Sequence, residues 1–146
     1  MIVNIISNVK GGGAETLVRE IHSIYCDNNI ESRCIYFEGD AADLKPGEVV
    51  LGVNPRNPLN IFIIRKILKR LSFCSDSKVV VHAHLTWPFV YVVMASLGVN
   101  NLRLIYTEHK TTNKRRKFTL LRWVERLFYA RYDRVICISQ GVYDSL

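Results

Sequence analysis

The sequence of 146 residues has little of what marks several special protein classes. Its 8 glycines and 4 prolines exclude a collagen-like chain, and a 49% hydrophobic content excludes a disordered one. The 4 cysteines form no Cys-x-x-Cys pair, so we expect reduced core thiols of a cytoplasmic protein and no disulfide framework. No apolar run approaches the roughly 20 residues that span a bilayer. The first residues lack a basic segment, which favours a first strand over a signal peptide.

Positive charge is in excess and is concentrated in one segment. The formal net charge is +7, and residues 103–134 hold ten basic and three acidic residues, which accounts for all of it. A concentrated positive field favours an anionic partner such as a phosphate group, phospholipid or nucleic acid. A solvated helix face is the alternative interpretation. We expect no nucleic acid, because no DNA- or RNA-binding motif accompanies the charge.

Apolar periods that alternate between strand and helix predict a single α/β domain over residues 1–146. Strands are predicted at residues 2–6, 33–37, 48–51, 78–83, 102–107 and 134–138, with helices between most of them. Uniformly apolar strands joined through helices predict a doubly wound, mostly parallel, Rossmann-like sheet with helices on both faces. Ligands of such sheets bind beyond the carboxyl ends of the strands. The segments expected there are residues 7–13, 38–43, 82–87 and 107–110, and Ser139.

A glycine turn follows the first predicted strand. Gly11, Gly12 and Gly13 lack Cβ atoms, so their backbone can approach a phosphate or sugar at the start of the first helix. Thr16 stands where a dinucleotide-binding GxGxxG pattern needs glycine, and the phosphate-loop pattern is missing. A tight turn without a ligand remains the alternative.

Histidines follow the fourth and fifth predicted strands. His82 and His84 alternate and therefore point to the same side of the sheet, with Trp87 at the lip of the expected cleft. They lack a third ligand with convincing spacing, and no Asp-x-Asp motif occurs, so we expect no metal. In the other cluster, Glu108, His109 and Lys110 could orient sugar hydroxyls or stabilise developing charge. A surface-loop histidine is the alternative to a role for His109.

A basic amphipathic helix is predicted over residues 59–73. The cations Arg65, Lys66, Lys69 and Arg70 share one face, and Phe62 falls among them. An apolar anchor among cations suits an interfacial helix on anionic lipid, and the basic loop at residues 114–117 adds a second patch. A soluble helix with a solvated charged face remains equally open.

Four motifs, in order, resemble those of GT-B type glycosyltransferases, particularly family 4. Residues 11–15 resemble the family's GGAE turn, residues 80–84 its VVHAH strand, residues 106–109 its TEH strand end, and residues 132–139 its ADRVIAVS strand. The resemblance implies the N-terminal, acceptor-side half of a two-domain fold. The donor-domain signature, two glutamates flanking seven residues, is absent. We therefore expect an isolated or truncated part of a longer enzyme, without the C-terminal domain that binds the nucleotide-sugar.

The resemblance also implies roles for particular residues. Gly12 and Gly13 would approach the donor diphosphate or the transferred sugar, and His109 would lie near the transfer centre. Sugar transfer by family 4 enzymes retains the anomeric configuration, and it uses no metal and no firmly assigned protein base. The nucleotide-sugar is then a substrate and no cofactor is expected. The basic helix lies where several family members with lipid-linked acceptors touch the membrane.

These observations predict the acceptor-binding half of a retaining glycosyltransferase that acts on a polysaccharide or lipid-linked acceptor, in the cytoplasm or peripherally at the inner face of the membrane. Alone, this half is expected to be inactive. A second hypothesis is a non-enzymatic domain that docks on anionic membrane through its basic helices. A third, an NAD-dependent oxidoreductase, is supported only by the glycine turn and Glu38, and Thr16 counts against it.

Overall fold

The computed structural model describes residues 1–109 and 119–144, and over these residues strands and helices alternate as predicted. The strands are β1 (Ile2–Asn8), β2 (Ser32–Glu38), β3 (Glu48–Val50), β4 (Val79–His84), β5 (Leu102–Glu108) and β6 (Arg134–Cys137). The helices are α1 (Gly13–Asp27), α2 (Asn60–Cys74), α3 (Thr86–Ser96), α4 (Thr119–Tyr129) and α5 (Gln140–Asp144), and a short 3-10 helix covers Ala41–Asp43.

The six strands form one sheet in the order β3-β2-β1-β4-β5-β6, and every neighbouring pair is parallel. This arrangement confirms the predicted doubly wound, Rossmann-like fold. The chain leaves β1 towards β2 and leaves β4 towards β5, in opposite directions, so the order reverses between β1 and β4. In open parallel sheets, a crevice for ligands forms outside the carboxyl ends of the strands at that point.

Apolar side chains cover the two faces of the sheet unequally. On one face, Val3 and Phe37 pack with Ile64 and Leu68 of α2 and Phe89 of α3 in the larger core. On the other face, α1 contributes Val18 to a smaller core, which also contains Ile6, Cys34 and Tyr36. Alternation along each strand sends successive side chains to opposite faces. The histidines of β4 thereby share the α1 face.

The buried face of α1 is partly polar. The apolar residues Leu17 and Ile24 of this helix are exposed, Ile24 by 57%. Glu15, Val18 and His22 are buried instead, at the three- and four-residue spacing of one helix face. Polar groups can occupy this face because His22 contacts Ser32 and the carbonyl of Pro46, each at 2.9 Å.

A buried network joins α1 to β2 and β3. Glu48 accepts hydrogen bonds from Arg19, from Oη of Tyr36 and from the amide of Lys45. The potential ligand atoms of His22, Cys34 and Glu48 lie within 4.8 Å of one another. Both His22 nitrogens and the Glu48 carboxylate already have partners in the protein, which is the pattern of a structural network.

The connection from β4 to α3 is a sharp turn. Leu85 has φ +67° and ψ 173°, a region that costs a non-glycine residue of order 1–3 kcal/mol. Helix α3 begins at Thr86, two residues before the predicted start at Pro88, which a helix tolerates because Pro88 lies in the first turn. The turn places Trp87 next to the carboxyl ends of β1 and β4.

Candidate functional site

Three histidines form a chain at the carboxyl edge of the sheet. The rings of His82 and His84 lie 4.0 Å apart on the α1 face, as their alternation predicted. Nε2 of His82 lies 2.7 Å from Oγ1 of Thr107 in the neighbouring strand. His84 lies between two further partners: Nδ1 is 3.4 Å from Nε2 of His109, and Nε2 is 3.4 Å from Oδ1 of Asn4.

Burial keeps these imidazoles neutral near pH 7. Burial, and to a smaller extent the neighbouring histidines, lower the pKa of His82 to about 4 and that of His84 to about 2. Burial also lowers the pKa of His109, although the carboxylates of Glu108 and Glu15 partly oppose it.

Because Oδ1 of Asn4 faces His84, the hydrogen-bond partners assign one tautomer to each of His84 and His109. A neutral imidazole carries one N–H, and Oδ1 of Asn4 can only accept, so Nε2 of His84 donates to it. Nδ1 of His84 then accepts from Nε2 of His109. It follows that Nδ1 of His109 carries no proton and can accept a hydrogen bond from a hydroxyl group.

The glycine turn leads into α1, and its backbone does not itself require glycine. Gly12 has φ −169°, an extended value that any residue adopts. A Cβ added to Gly13 would meet nothing within 4 Å, and one added to Gly12 would make an ordinary contact with Glu15. The space beside these two residues is therefore left open by the fold.

Two of the cavities around this turn contain residues that the sequence predicted for the site. The first, which we call the His109 cavity, has a volume of about 630 Å³ and brings Gly13 and Ala14 together with His109. The second, the Trp87 cavity, has a volume of about 570 Å³ and is predominantly polar. Its lining residues are Ser7, Asn8, Glu15, Glu38, Asn54, Pro55, Arg56, Leu85, Thr86 and Trp87. An aromatic ring among carboxylates, amides and hydroxyls is an arrangement that suits a sugar.

Of the other residues predicted to bind a ligand, the structure brings only some to this edge. Trp87 is partly exposed and stacks on Tyr91 within the Trp87 cavity. His84 is only 1% exposed and reaches the edge through His109. Glu108 is buried, and its Oε2 accepts a hydrogen bond of 2.7 Å from Tyr129 on the opposite face, so we do not carry it into the site. Lys110 lies outside the described residues, as does the basic loop at residues 114–117.

The expected membrane-contact residues of α2 are also separated by the structure. Phe62 is 69% exposed, and Lys66, Lys69 and Arg70 are exposed around it. Arg65 is half-buried and donates to the carbonyls of Ala95 and Leu97, so it satisfies the carboxyl end of α3 and is no longer part of this surface. Within the described part of the chain, no helix is both long and apolar enough to cross a bilayer.

A family model decides which group of α/β proteins this is. The model, described as Glycosyltransferase Family 4, matches residues 11–146, which is most of the chain. The chain belongs to glycosyltransferase family 4. No curated protein matches it. The family 4 membership confirms the resemblance of the four motifs and supports a glycosyltransferase-type function.

Several residues at the carboxyl edge of the sheet could not be assigned to the site from the sequence. Glu15 was known only as part of a motif, and Asn8 and Glu38 only as members of edge segments. Asn54 and Arg56 belong to the connection from β3 to α2, which carried no motif. The signal that could have found Asn54 and Arg56 is the strand order, because β3 ends at the same edge as β1 and β4.

Proposed function

We propose that this chain is the acceptor-binding N-terminal domain of a retaining, nucleotide-sugar-dependent glycosyltransferase of hexosyltransferase type. Its acceptor is a sugar or a lipid-linked saccharide of cell-surface polysaccharide or glycolipid synthesis. The observation that carries the proposal is the meeting of the glycine turn, His109 and two cavities at the switch point of a family 4 fold.

The edge supplies two of the functions that sugar transfer needs. Neutral His109 offers Nδ1 as a hydrogen-bond acceptor, which can orient the acceptor hydroxyl towards the anomeric carbon. The amino end of α1 directs backbone N–H groups and the positive end of the helix dipole past Gly12 and Gly13, where they can stabilise a departing diphosphate. Neither function requires a metal ligand from this chain.

A second domain, which binds the nucleotide, completes this proposal. The edge of one sheet is open to water, and electrostatic stabilisation of a leaving group is much stronger where water is excluded. We therefore expect the 146-residue chain alone to bind an acceptor but to transfer no sugar.

The test is sugar transfer by the protein that joins this domain to its donor domain. Radiolabelled nucleotide-sugars are assayed one at a time with a lipid extract as acceptor source. The wild type should transfer one of them, and His109→Ala should lower kcat at least about 100-fold while the free energy of unfolding falls by only about 1 kcal/mol, for the hydrogen bond lost to His84. The control is Glu31→Gln, an exposed carboxylate at the amino edge of the sheet, which should leave kcat unchanged. Near-normal turnover of His109→Ala would discard the assignment of His109.

We also propose, as a second candidate, that α2 docks the domain on anionic membrane at the inner face. Phe62 and Phe73 are 69% and 91% exposed, and Lys66, Lys69 and Arg70 are exposed on the same helix. Exposed aromatic rings among cations suit the interface between lipid headgroups and acyl chains. Docking is compatible with transfer to a lipid-linked acceptor and would also serve a domain without enzymatic activity.

A further inference from the structure

Glu15 is a buried carboxylate without a hydrogen bond or ion pair among the described residues. It is 7% exposed, whereas carboxylates buried to this degree are ordinarily paired. The buried carboxylate of Glu48, by comparison, accepts hydrogen bonds from two side chains and one backbone amide. Glu15 therefore has hydrogen-bonding capacity that the described chain does not use.

The surroundings of Glu15 explain how an unpaired carboxylate is tolerated there. The residue lies in the first turn of α1, where the helix dipole favours negative charge. Its carboxylate lies over the glycine turn, since a Cβ on Gly11 would be 3.2 Å from both Cδ and Oε1. The fold thus holds the carboxylate in place without neutralising it.

The position of Glu15 connects it to both cavities. It lines the Trp87 cavity directly, and its charge reaches His109, whose pKa it raises. Asn8, Glu38 and Arg56 line the same cavity and are more accessible than Glu15. A ligand in the Trp87 cavity therefore lies against this carboxylate.

We propose that Glu15 is the acceptor-recognition residue of this site: its carboxylate accepts hydrogen bonds from hydroxyl or amino groups of a saccharide in the Trp87 cavity. An ionised carboxylate offers only acceptors, so it selects a ligand that donates there. A phosphate or carboxylate at the same point of the ligand is repelled. The inference rests on the proposed function and adds to it that the acceptor presents a neutral or cationic sugar to this position.

The test uses the 146-residue chain, labelled with ¹⁵N and titrated separately with methyl glucoside, glucosamine and glucose-6-phosphate. Chemical shifts of the Asn8 and Thr86 amides and of the Trp87 indole, which line the Trp87 cavity, report binding. Methyl glucoside and glucosamine should shift these resonances, and glucose-6-phosphate should bind at least about tenfold more weakly. Glu15→Ala should weaken both uncharged and amino sugars about tenfold or more, as expected for a lost hydrogen bond to a charged group.

Two further variants separate recognition from folding. Glu15→Gln keeps the shape of the side chain and should abolish the discrimination against glucose-6-phosphate while the spectrum stays folded. Glu31→Gln removes an exposed carboxylate far from the edge and should bind all three sugars as the wild type does.

The possible failures are distinguishable. If each sugar binds the wild type and Glu15→Gln with the same affinity, and both proteins discriminate equally against glucose-6-phosphate, the assignment of Glu15 is overturned. Saccharide binding at this edge would still stand. If no sugar shifts any resonance of the wild type at its highest soluble concentration, both this inference and the proposed acceptor-binding function are contradicted.

Discussion

Nδ1 of His84 lies 3.4 Å from Nε2 of His109, and this contact joins an imidazole that is 1% exposed to one at the edge of the sheet. His84 is held in turn by Asn4 of β1, the strand on its other side. The buried side chain of His84 thereby sets which nitrogen of His109 is left open at the edge. Under the proposed function, His84 would act through His109, as a positioning residue.

Replacing His84 by phenylalanine tests this positioning role. The aromatic volume is kept, but Asn4 and His109 each lose a hydrogen-bond partner. We expect the free energy of unfolding to fall by about 1–2 kcal/mol. We expect kcat for sugar transfer to fall about tenfold with little change in KM, because the orientation of His109 is lost and the binding surface is not. A fall in stability with unchanged kcat would show that His84 is merely structural.

Replacing Gly13 by alanine separates the needs of the fold from those of a ligand. The new Cβ meets nothing within 4 Å, and alanine is favoured over glycine in a helix by about 1 kcal/mol. Thermal unfolding should therefore show an unchanged or raised Tm. Sugar transfer should nevertheless fall, because the methyl group occupies the space offered to the donor. Full activity in a stabilised Gly13→Ala variant would argue against close approach of a substrate.

Acid should destabilise the domain through His82 and His84. An unfolded imidazole has a pKa of about 6.5, whereas burial lowers the folded values to about 4 and about 2. The unfolded chain therefore binds more protons than the folded chain between these values, and the free energy of unfolding falls as pH drops. Near pH 5 the two sites together give a slope of about 2.5 kcal/mol per pH unit.

Urea unfolding between about pH 6.5 and pH 5 measures this slope. His82→Asn removes one titrating group and should lower the slope by about half. Glu48, whose pKa is held below its usual value by the Lys45 amide, Arg19 and Tyr36 despite burial, adds a loss of its own only below about pH 4.5. A free energy of unfolding that stays constant down to pH 5 would contradict the neutral histidine pair.

The cations of α2 should divide into two functional groups. Reversing Lys66, Lys69 and Arg70 to glutamate should weaken binding to anionic vesicles at least about 100-fold without lowering Tm, since each cation near the surface contributes about 1 kcal/mol. Arg65→Ala should instead lower stability by about 1 kcal/mol, because two carbonyls at the end of α3 lose their donor. Cosedimentation with vesicles and thermal unfolding measure both effects. Equal vesicle binding by the charge-reversed variant would remove the membrane proposal.

The sheet could be predicted from the sequence because its signals are local. Apolar runs such as those of β1 and β4, and glycine or proline between them, define the strands, and the right-handed crossover rule supplies their order. The same reasoning placed His82 and His84 on one face, since alternation in a strand is a geometric certainty.

Side-chain partners could not be predicted because they depend on contacts distant in sequence. Arg65 has the helical position of a surface cation, and only the end of α3, about thirty residues away, takes it out of that surface. Glu108 is the last residue of β5, next to His109, yet strand alternation turns it to the face where Tyr129 of α4 binds it. Glu15 could be identified from the sequence only as part of a motif, because its burial depends on how the helix packs on the sheet.

The account depends on a saccharide being held in the Trp87 cavity, against Glu15 at the carboxyl edge of the sheet, and intermolecular nuclear Overhauser effects measure this most directly. A ¹³C-labelled methyl glucoside is added to the protein, and effects from its ring protons to the protein are recorded. We predict effects to both the Trp87 ring protons and the Glu15 Hγ protons from the same bound sugar. Effects confined to other surfaces, such as the exposed face of α2 around Phe62, would contradict it.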